Sequence, residues 1–522
     1  MKRGVTVGLL LAIGIALALR LPQLDQRPMH NDEAVNGVKF VDLLEHGRYH
    51  YDPNEHHGPS LFYATLGLVR LTGISDAEHL TEARLRLVPV LFGIGLILLV
   101  TLVADGLGRN AVLWAALFTA ISPAMVFYSR YYIHEMLLIF FAFLALAAGW
   151  RYWRSRNVWW ALLSGMGVGL MQATKETFVI TLAAAGLALG INQIWNRWLD
   201  ASGLPVRAPR LRVQHLAAAL AMWVVVAVVL FSSFFSNASG PLDSIRTYAP
   251  WISRAGGNSP HIHPWHFYLH RLLFFHVGRG PIWSEGLIFG LGVIGALAAF
   301  VRKGLGDGNA SFIRFLALYT FILTGAYALI AYKTPWCLLS FWHGMILLAG
   351  VGAAVLVRVV KFQIARAGMI VVLLAGASQL AAQAYQAAGR YAAEPHNPYV
   401  YAQTSQNLLE LVERVKAIAA VAPQPNRVLI KVMAPEGDYW PLPWYLRQFK
   451  QIGWWEALPE GPYGPLMIVA AKFHANLDEK KTHVMVGYFQ LRADAFFELY
   501  VELDLWRAYL EENLKHQPAT LR

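Results

Sequence analysis

Long apolar runs alternate with short charged loops along most of the chain. A helix needs about 20 apolar residues to cross the hydrocarbon core of a bilayer, and about eleven runs approach that length. They cover residues 4–21, 86–104, 111–127, 135–150, 158–173, 177–195, 214–235, 285–301, 312–331, 336–357 and 367–384. This pattern predicts a polytopic all-α membrane protein with about 11 transmembrane helices.

The first of these runs has two interpretations. Lys2 and Arg3 precede it, and Ala16-Leu17-Ala18 has the small-x-small form of a signal-peptide cleavage site. The number of apolar runs that follow favours the simpler interpretation, which is an uncleaved first helix.

The composition agrees with a membrane protein. Of the 522 residues, 56% are hydrophobic and only 15% are charged, whereas about a quarter are charged in soluble domains. The net charge of +12 could indicate nucleic-acid binding, but the Lys and Arg residues are spread over short loops and do not form one soluble basic face. We therefore predict membrane lipids, and no nucleic acid, as partners. The single cysteine, Cys337, excludes an internal disulfide.

The positive charges also orient the chain. If the N-terminus is cytoplasmic, most Lys and Arg residues of the short loops fall on the cytoplasmic side, as the positive-inside rule requires. The outer loops are then residues 22–84 and 237–284, and everything after the last run is extracytoplasmic. This topology predicts a multi-pass protein of the plasma (inner) membrane.

The character of the chain changes after Tyr385. A polar helical stretch at 399–420 precedes two short β-branched runs, 427–433 and 465–471, and a third candidate strand lies at 483–491. We predict a transmembrane domain over 1–385 and a soluble extracytoplasmic α/β domain over 386–522. This second domain contains no phosphate-binding loop and no metal-ligand spacing. We interpret the aromatic residues of its DYWPLPWY segment as packing or sugar-stacking groups.

The first outer loop contains the least expected residues. Asp32 and Glu33 are adjacent carboxylates shortly after the first apolar run, and several histidines and a Gly58-Pro59 break follow them. No folding requirement explains an acidic pair in a loop between spans. We therefore predict that this is an active-site loop.

Further polar residues lie at the predicted outer ends of spans. They are His57, Arg130, His134, Glu135, Lys175, Glu176, Tyr332 and Lys333. Ionisable residues at membrane depth cost roughly 2.5 to 3.5 kcal/mol on insertion scales, so they usually face a cavity and have a partner. These residues also have simpler explanations when each is taken alone. A Lys or Arg at a span end, for example, commonly snorkels to lipid headgroups. Their convergence on one membrane surface favours a shared site.

Carboxylates and cations at one surface can support group transfer. A carboxylate can take the proton of an acceptor hydroxyl, and a cation can stabilise a leaving phosphate. If that phosphate is esterified to a polyprenol, the apolar tail needs a groove among helices. These residues therefore fit sugar transfer from a polyprenyl-phosphate carrier.

Nine segments, in chain order, also carry a family resemblance. They are HNDEAV, YDPNEHHGPSLFY, AEHLTEARLRLVPVLFG, YSRYYIHEM, ATKETF, PWHFYLHRLLFF, AYKTPW, NPYVYAQT and DYWPLPWYLR. Through them the chain resembles the GT-C superfamily of membrane glycosyltransferases, which includes protein O-mannosyltransferases and lipid A aminoarabinose transferases. More narrowly, it resembles the prokaryotic family of flippase-activity-associated membrane proteins.

The resemblance implies roles for particular residues. The acidic motif of the first outer loop, used in GT-C enzymes for acceptor activation or metal binding, corresponds to Asp32 and Glu33. The arginine and acidic residue before the fourth span correspond to Arg130 and Glu135, although the family commonly has Asp at the second position. The lysine of the Thr-Lys turn corresponds to Lys175.

We therefore expect four groups of site residues. Asp32 and Glu33 would be catalytic. The donor phosphate would be bound by Arg130, Lys175, Lys333 and His57. The supporting residues would be His134, Glu135, Glu176 and Tyr332. A divalent cation, if the reaction uses one, would be held by Asp32 and Glu135.

The predicted function is that of an inverting glycosyltransferase. It would move a sugar from a polyprenyl-phosphate-linked donor to a glycan, lipid or protein acceptor at the outer face of the plasma membrane. The alternative is a non-catalytic partner of a lipid-linked sugar flippase or glycan-assembly complex. A transporter fits less well, because transporter sites usually lie near the midplane between broken helices.

Overall fold

A computed structural model describes residues 3–55, 57–74, 76–198, 212–256 and 261–516. Over these ranges the chain is mostly helical, with one five-stranded sheet. The α-helices are α1 (Arg3–Arg20), α2 (Asn31–His46), α3 (Ser60–Leu71), α4 (Glu82–Leu99), α5 (Ala104–Leu107), α6 (Arg109–Ile121), α7 (Pro123–Ser129), α8 (Glu135–Ser155), α9 (Val158–Gln172), α10 (Phe178–Trp198), α11 (Val213–Phe231), α12 (Gly240–Arg246), α13 (Tyr248–Gly256), α14 (Phe267–Leu273), α15 (Gly286–Val301), α16 (Ala310–Leu329), α17 (Leu339–Val359), α18 (Gln363–Ala388), α19 (Asn407–Ala420), α20 (Leu442–Tyr445) and α21 (Leu503–His516).

The chain divides into two compact units. The first, here called the membrane unit, consists of Met1–Leu24, Asp42–Ser75 and Ala83–Tyr401. The second, the C-terminal unit, consists of Asp25–Val41, Asp76–Glu82 and Ala402–Arg522. This division differs from the predicted boundary after residue 385. The segment before Ala402 belongs to the membrane unit, whereas two parts of the predicted first outer loop belong to the C-terminal unit.

All the predicted apolar runs fall on helices, with small differences at their ends. Seven helical segments in the described part of the chain are long and apolar enough to cross a membrane. They are Glu82–Leu107, Glu135–Ser155, Phe178–Arg197, Val213–Phe231, Ala310–Leu329, Pro335–Val359 and Gln363–Ala388. The chain is therefore a multi-pass membrane protein.

The remaining runs are bent or short. Helices α6 and α7 meet at 56° and together form an eighth candidate span. The bend falls at Ser122-Pro123, where proline lacks the amide hydrogen that would continue the helix. Helices α1, α9 and α15 are shorter apolar helices. The count of eleven spans remains a prediction.

Glycines allow two helices of the membrane unit to pack closely. A Cβ atom on Gly352 of α17 would lie 1.9 Å from the carbonyl oxygen of Leu291 in α15. A Cβ atom on Gly295 of α15 would lie 2.1 Å from the carbonyl oxygen of Leu348 in α17. Small residues at such interfaces let helix backbones approach in a membrane. We expect α15 and α17 to form a rigid pair.

The C-terminal unit contains the sheet. Its strands are β1 (Ile430–Met433), β2 (Ile452–Trp455), β3 (Leu466–Ala470), β4 (His483–Arg492) and β5 (Ala495–Glu502). Their spatial order is β2-β1-β3-β5-β4. Strand β1 is parallel to β2 and β3, whereas β5 is antiparallel to β3 and β4. The parallel strands β1 and β3 are short apolar runs because both of their faces are buried.

Three of the strands were predicted from the sequence, namely β1, β3 and β4. Strand β2 was missed because it has four half-buried residues and no alternating pattern. Strand β5 was missed because its mixture of aromatic and acidic residues is also compatible with a helix. The helix predicted from residue 399 begins only at Asn407, whose amide donates to the side-chain oxygen of Ser405 at 3.2 Å. Such a local hydrogen bond favours a turn over an earlier helix start.

Candidate active site

A tight turn between α9 and α10 carries two of the predicted charged residues. In this turn, the carbonyl oxygens of Ala173 and Thr174 accept hydrogen bonds from the amides of Ser60 (2.8 Å) and Gly58 (3.1 Å). A Cβ atom on Gly58 would lie 2.3 Å from the carbonyl oxygen of Ala173. Only glycine allows this close approach. The Gly-Pro break noted in the sequence therefore joins the start of α3 to the turn.

Glu176, in this turn, forms a buried pair with His57. The Nδ1 atom of His57 lies 2.7 Å from Oε2 of Glu176, and the hydroxyl of Tyr51 donates to Oε1 at 3.3 Å. Burial would raise the pKa of the Glu176 carboxyl, but the neighbouring His57 holds this pKa below its ordinary value. Because a carboxylate only accepts hydrogen bonds, Nδ1 of His57 carries a proton.

The His57 ring is also held by its aromatic neighbours. It stacks on Trp251 with ring centroids 4.9 Å apart, and the edge contact with His134 has a centroid distance of 5.2 Å. His134 itself donates from Nε2 to the carbonyl oxygen of Gly58 at 3.1 Å. The His57 side chain remains 24% exposed. This arrangement fixes the ring while leaving part of it accessible to a ligand.

Lys175 forms an ion pair with Glu135, the first residue of α8. Both side chains are almost completely buried, with exposed fractions of 8% for Lys175 and 4% for Glu135. Burial lowers the pKa of the Lys175 ammonium, but the neighbouring Glu135 carboxylate raises it by a larger amount. The pKa of Lys175 therefore lies above its ordinary value. Lys175 is thus a buried cation whose partner is the Glu135 carboxylate.

These contacts bring together five of the predicted site residues. The group, here called the Lys175 cluster, consists of His57, His134, Glu135, Lys175 and Glu176. The two acid–base pairs are His57–Glu176 and Lys175–Glu135. They are linked because Lys175 and Glu176 are consecutive, and because His134, which contacts the His57 ring, directly precedes Glu135.

Arg130 has a different set of partners. Its guanidinium donates to the carbonyl oxygens of Leu19 (3.4 Å), Arg20 (3.0 Å), Pro22 (2.7 Å) and Gln23 (3.1 Å). These carbonyls lie at or just after the end of α1, where the last turn of a helix has no intrahelical partners. Arg130 therefore stabilises the end of α1. Its predicted role in binding the donor phosphate remains a prediction.

Lys333 and Tyr332 lie against another segment of the membrane unit. The Lys333 ammonium donates to the carbonyl oxygens of Ile330 and, at 3.0 Å, His263. Tyr332 forms an isolated β-bridge with Ile262. Lys333 is only 1% exposed, and desolvation lowers the pKa of its ammonium. Phosphate binding by Lys333 would require it to exchange these carbonyl partners.

Asp32 and Glu33 lie in the first turn of α2, within the C-terminal unit. Glu33 is completely buried, and each of its oxygens lies 3.0 Å from the Arg27 guanidinium. It also accepts the amide hydrogen of His30 at 3.0 Å. This is the side chain that reaches back in a capping box, with His30 at the N-cap. Glu33 therefore holds the start of the helix.

Asp32 differs from its neighbour in exposure. Its side chain is 46% exposed, while its amide donates to Nδ1 of His30 at 3.1 Å. Because Nδ1 accepts this bond, a neutral His30 carries its proton on Nε2. Both carboxylates were placed in the catalytic group from the sequence, and the structure gives their side chains two different environments.

Distant parts of the C-terminal unit hold the segment before Asp32. The Tyr445 hydroxyl accepts the amide hydrogen of Met29 at 2.8 Å, and the Thr404 hydroxyl donates to the Met29 carbonyl at 2.7 Å. Gln403 donates to the carbonyl oxygen of Pro28 at 3.2 Å. Residues of two resemblance segments, NPYVYAQT and DYWPLPWYLR, therefore hold the two residues that directly precede HNDEAV.

The predicted cation ligands do not form a complete set. Among the residues described, no group of three or more His, Cys, Asp or Glu side chains is arranged to hold a metal ion. Asp32 has His30 beside it, with Oδ1 3.8 Å from Nδ1, and this nitrogen already accepts the Asp32 amide hydrogen. Glu135 is paired with Lys175.

The chain is similar to a known family and to solved structures. The family model described as dolichyl-phosphate-mannose-protein mannosyltransferase matches residues 72–239, which include Glu135 and Lys175. The apo structure of ArnT from Cupriavidus metallidurans is similar, with a TM-score of 0.61 and 13% identity over 96% of this chain and 99% of that one. The structure of the same protein bound to undecaprenyl phosphate has a TM-score of 0.58 and 15% identity. That match covers 96% of this chain and 98% of the other.

An archaeal structure is similar as well. The oligosaccharyltransferase AglB from Archaeoglobus fulgidus, in complex with an inhibitory peptide and a dolichol-phosphate, gives a TM-score of 0.58 and 13% identity. The match covers 91% of this chain and 70% of that one. At 13% to 15% identity, the likeness to these solved structures is one of fold. No curated protein matches it in sequence.

The family match over residues 72–239 and the likeness in fold agree with the broader resemblance to GT-C enzymes, while the narrower one to flippase-activity-associated proteins remains a prediction.

One buried acidic residue was missed from the sequence. Glu285 accepts hydrogen bonds from the Ser122 hydroxyl (2.5 Å), the Ala124 amide (2.9 Å), the Tyr399 hydroxyl (2.6 Å) and the Trp342 indole (3.1 Å). The one signal in the sequence that could have predicted its burial is that this carboxylate begins the apolar run 285–301. Because all these contacts are internal, Glu285 has a structural role.

Proposed function

We propose that this protein is an inverting glycosyltransferase of the GT-C superfamily that uses a polyprenyl-phosphate-linked sugar. The acceptor would be a glycan, lipid or protein at the outer face of the plasma membrane. The observation that carries the proposal is the Lys175 cluster, which holds a buried ammonium close to an oriented histidine. This combination suits the phosphate of a lipid carrier better than a neutral ligand.

The donor phosphate would be bound by Lys175 and His57. In the reaction, an acceptor oxygen attacks the anomeric carbon, the bond from that carbon to the phosphate oxygen breaks, and polyprenyl phosphate leaves. The negative charge on the leaving phosphate grows during this step, and Lys175 stabilises it. Glu176 orients His57 through Nδ1, so that protonated His57 offers its Nε2–H to the phosphate.

Asp32 would be the general base. It takes the proton of the acceptor hydroxyl while the oxygen attacks from the face opposite the leaving phosphate, and this geometry inverts the anomeric carbon. Glu33 and Arg27 position the turn that carries Asp32. All bonds and protons balance without a further co-reactant.

The test uses the purified full-length protein in lipid nanodiscs. A panel of polyprenyl-phosphate sugars is supplied with candidate acceptors, and release of polyprenyl phosphate is followed with and without EDTA. We expect release with at least one donor, and strong loss of release in Asp32→Asn. Binding of polyprenyl phosphate without cleavage of any polyprenyl-phosphate sugar would contradict the enzyme proposal.

One observation favours the second candidate, a non-catalytic partner of a flippase or glycan-assembly complex. Arg130, Lys175 and Lys333 each have protein partners in the structure. Cations that already have protein partners favour a structural role over phosphate binding. Full glycan assembly in a deletion strain carrying Asp32→Asn would support this second function.

A further inference from the structure

A cavity lies among the first helices of the membrane unit. Its volume is about 550 Å³, within the range of roughly 300 to 1,000 Å³ that is typical of small-ligand sites. Val5 of α1 and Val112 of α6 line it, together with Thr101 and Ala104 from the segment after α4. Val112 is buried, whereas the other three side chains are half-buried. Leu98, one turn before Thr101, is 52% exposed and continues the apolar surface along α4.

Three charged residues also line the cavity, namely Asp105, Arg109 and Asp307. Asp105 already has two cationic partners, because its carboxylate oxygens lie 3.0 Å from Nη1 of Arg151 and 3.3 Å from Nε of Arg154. Its charge is therefore compensated within the protein. The other two side chains are more accessible, with exposed fractions of 63% for Arg109 and 49% for Asp307.

The loop between α15 and α16 holds Asp307 at the start of α6. The Arg109 amide donates to Oδ2 of Asp307 at 3.2 Å, and the Asn309 amide donates to the carbonyl oxygen of Gly106 at 2.8 Å. The side chains of the two charged residues are farther apart, since Nε of Arg109 lies 3.7 Å from Oδ2 of Asp307. This distance is longer than a hydrogen bond. Both groups are therefore fixed in place and can still bind a ligand.

The cavity is far from the Lys175 cluster. Glu135 of that cluster begins α8, whereas Arg151, near the other end of α8, contacts Asp105 beside the cavity. At 1.5 Å per residue, Glu135 and Arg151 are about 24 Å apart along the helix. Because α8 is long and apolar enough to cross a membrane, the cavity and the Lys175 cluster lie toward opposite membrane faces.

An apolar cleft that also has one cation and one carboxylate matches a lipid with a zwitterionic headgroup. We propose that this cavity binds an aminophospholipid of the phosphatidylethanolamine class. The Arg109 guanidinium binds the phosphate, Asp307 accepts hydrogen bonds from the ammonium, and the acyl chains follow Leu98 along α4. A soluble zwitterion would gain nothing from the apolar surface. This lipid site is separate from the proposed transferase site and does not depend on its function.

The test uses the purified full-length protein in detergent, stripped of lipid and without any sugar donor. Native mass spectrometry follows titration with dioleoyl lipids that have ethanolamine, choline or glycerol headgroups. All three lipids have the phosphate, but only ethanolamine has an ammonium with N–H donors. We therefore expect the ethanolamine lipid to bind most tightly.

Two variants examine the two charges separately. One partly exposed charge contributes modestly, so Asp307→Asn should reduce the preference for the ethanolamine lipid over the choline lipid about two- to fivefold. The asparagine side-chain oxygen still accepts the Arg109 amide hydrogen, which preserves the start of α6. Arg109→Gln should weaken all three lipids by a similar factor, because they share the phosphate.

A matched control is Lys361→Gln, which removes an exposed lysine of the same unit that does not line the cavity. It should bind the three lipids as the wild type does. Equal binding of the ethanolamine and choline lipids by the wild type, or an unchanged preference in Asp307→Asn, would overturn the proposal. Displacement of the lipid by an equal concentration of glycerophosphoethanolamine, which has no acyl chains, would also overturn it. Normal lipid preference in a protein that turns over no donor would contradict only the transferase function.

Discussion

The Nδ1 atom of His57 lies 2.7 Å from Oε2 of Glu176, although 119 positions separate the two residues in the chain. We expect Glu176→Gln to leave His57 in place but to remove the charge that orients it. Loss of one charge-assisted hydrogen bond of about 1.5 kcal/mol corresponds to roughly tenfold in turnover. Steady-state release of polyprenyl phosphate measures this effect. Glu55→Gln, at an exposed position of the same segment, is the control.

The same pair predicts a pH dependence of stability. The pKa of Glu176 is below its ordinary value of 4.5, so its stabilisation of the fold is fully present above about pH 4.5. It is lost as the pH falls from there through the lower pKa of the folded state. Thermal unfolding in detergent at about pH 6 and about pH 3.5 should therefore show a smaller loss in Glu176→Gln than in the wild type. Equal losses in both proteins would count against an ionised Glu176.

The Lys175–Glu135 pair separates a structural role from a binding role. Lys175→Gln leaves Glu135 buried without its cation, and breaking such a pair costs about 3 to 5 kcal/mol. The double variant Lys175→Gln with Glu135→Gln removes both charges, so we expect it to recover most of that stability. If Lys175 binds the donor phosphate, the double variant remains inactive. Recovery of activity together with stability would make the pair purely structural.

Asp32 and Glu33 should respond differently to removal of their charges. Asp32→Asn should lower turnover about 10²- to 10⁴-fold, the usual contribution of a general base, without lowering the unfolding temperature. Glu33→Gln should lower the unfolding temperature, because it weakens the pair with buried Arg27 and the cap of α2. Asp42→Asn, half exposed on the same helix, should change neither quantity. An unchanged turnover in Asp32→Asn would remove the proposed base.

The sequence predicted the helices well because a span is defined by local apolar length, and it predicted β1 and β3 because central strands are continuous apolar runs. It also predicted the members of the Lys175 cluster, since charged residues at span ends are costly without partners.

The individual roles depend on contacts between residues that are far apart in the chain. Arg130 binds the carbonyl oxygens at the end of α1 because that helix ends beside it. The residues around Arg130 in the sequence do not predict this contact. Glu33 is buried and Asp32 is exposed because consecutive side chains of a helix point in different directions. Adjacent letters in a sequence do not carry that distinction.

The last prediction concerns orientation in the membrane. Single cysteines at Lys303 and Gln448, both exposed positions, are introduced in a Cys337→Ala background. The positive-inside rule places Lys303 in the cytoplasm and Gln448 outside. In intact cells, a membrane-impermeant thiol reagent should therefore label only the cysteine at position 448, and both positions should react after the cells are opened.

This orientation bears directly on the donor. Polyprenyl-phosphate sugars are available at the outer surface, whereas nucleotide sugars are cytoplasmic. Because Gln448 and Asp32 belong to the same compact unit, labelling at 448 from outside also places the proposed base where a lipid-linked donor is needed. Labelling at 303 alone would put Asp32 in the cytoplasm. A nucleotide-sugar donor would then be the simpler proposal.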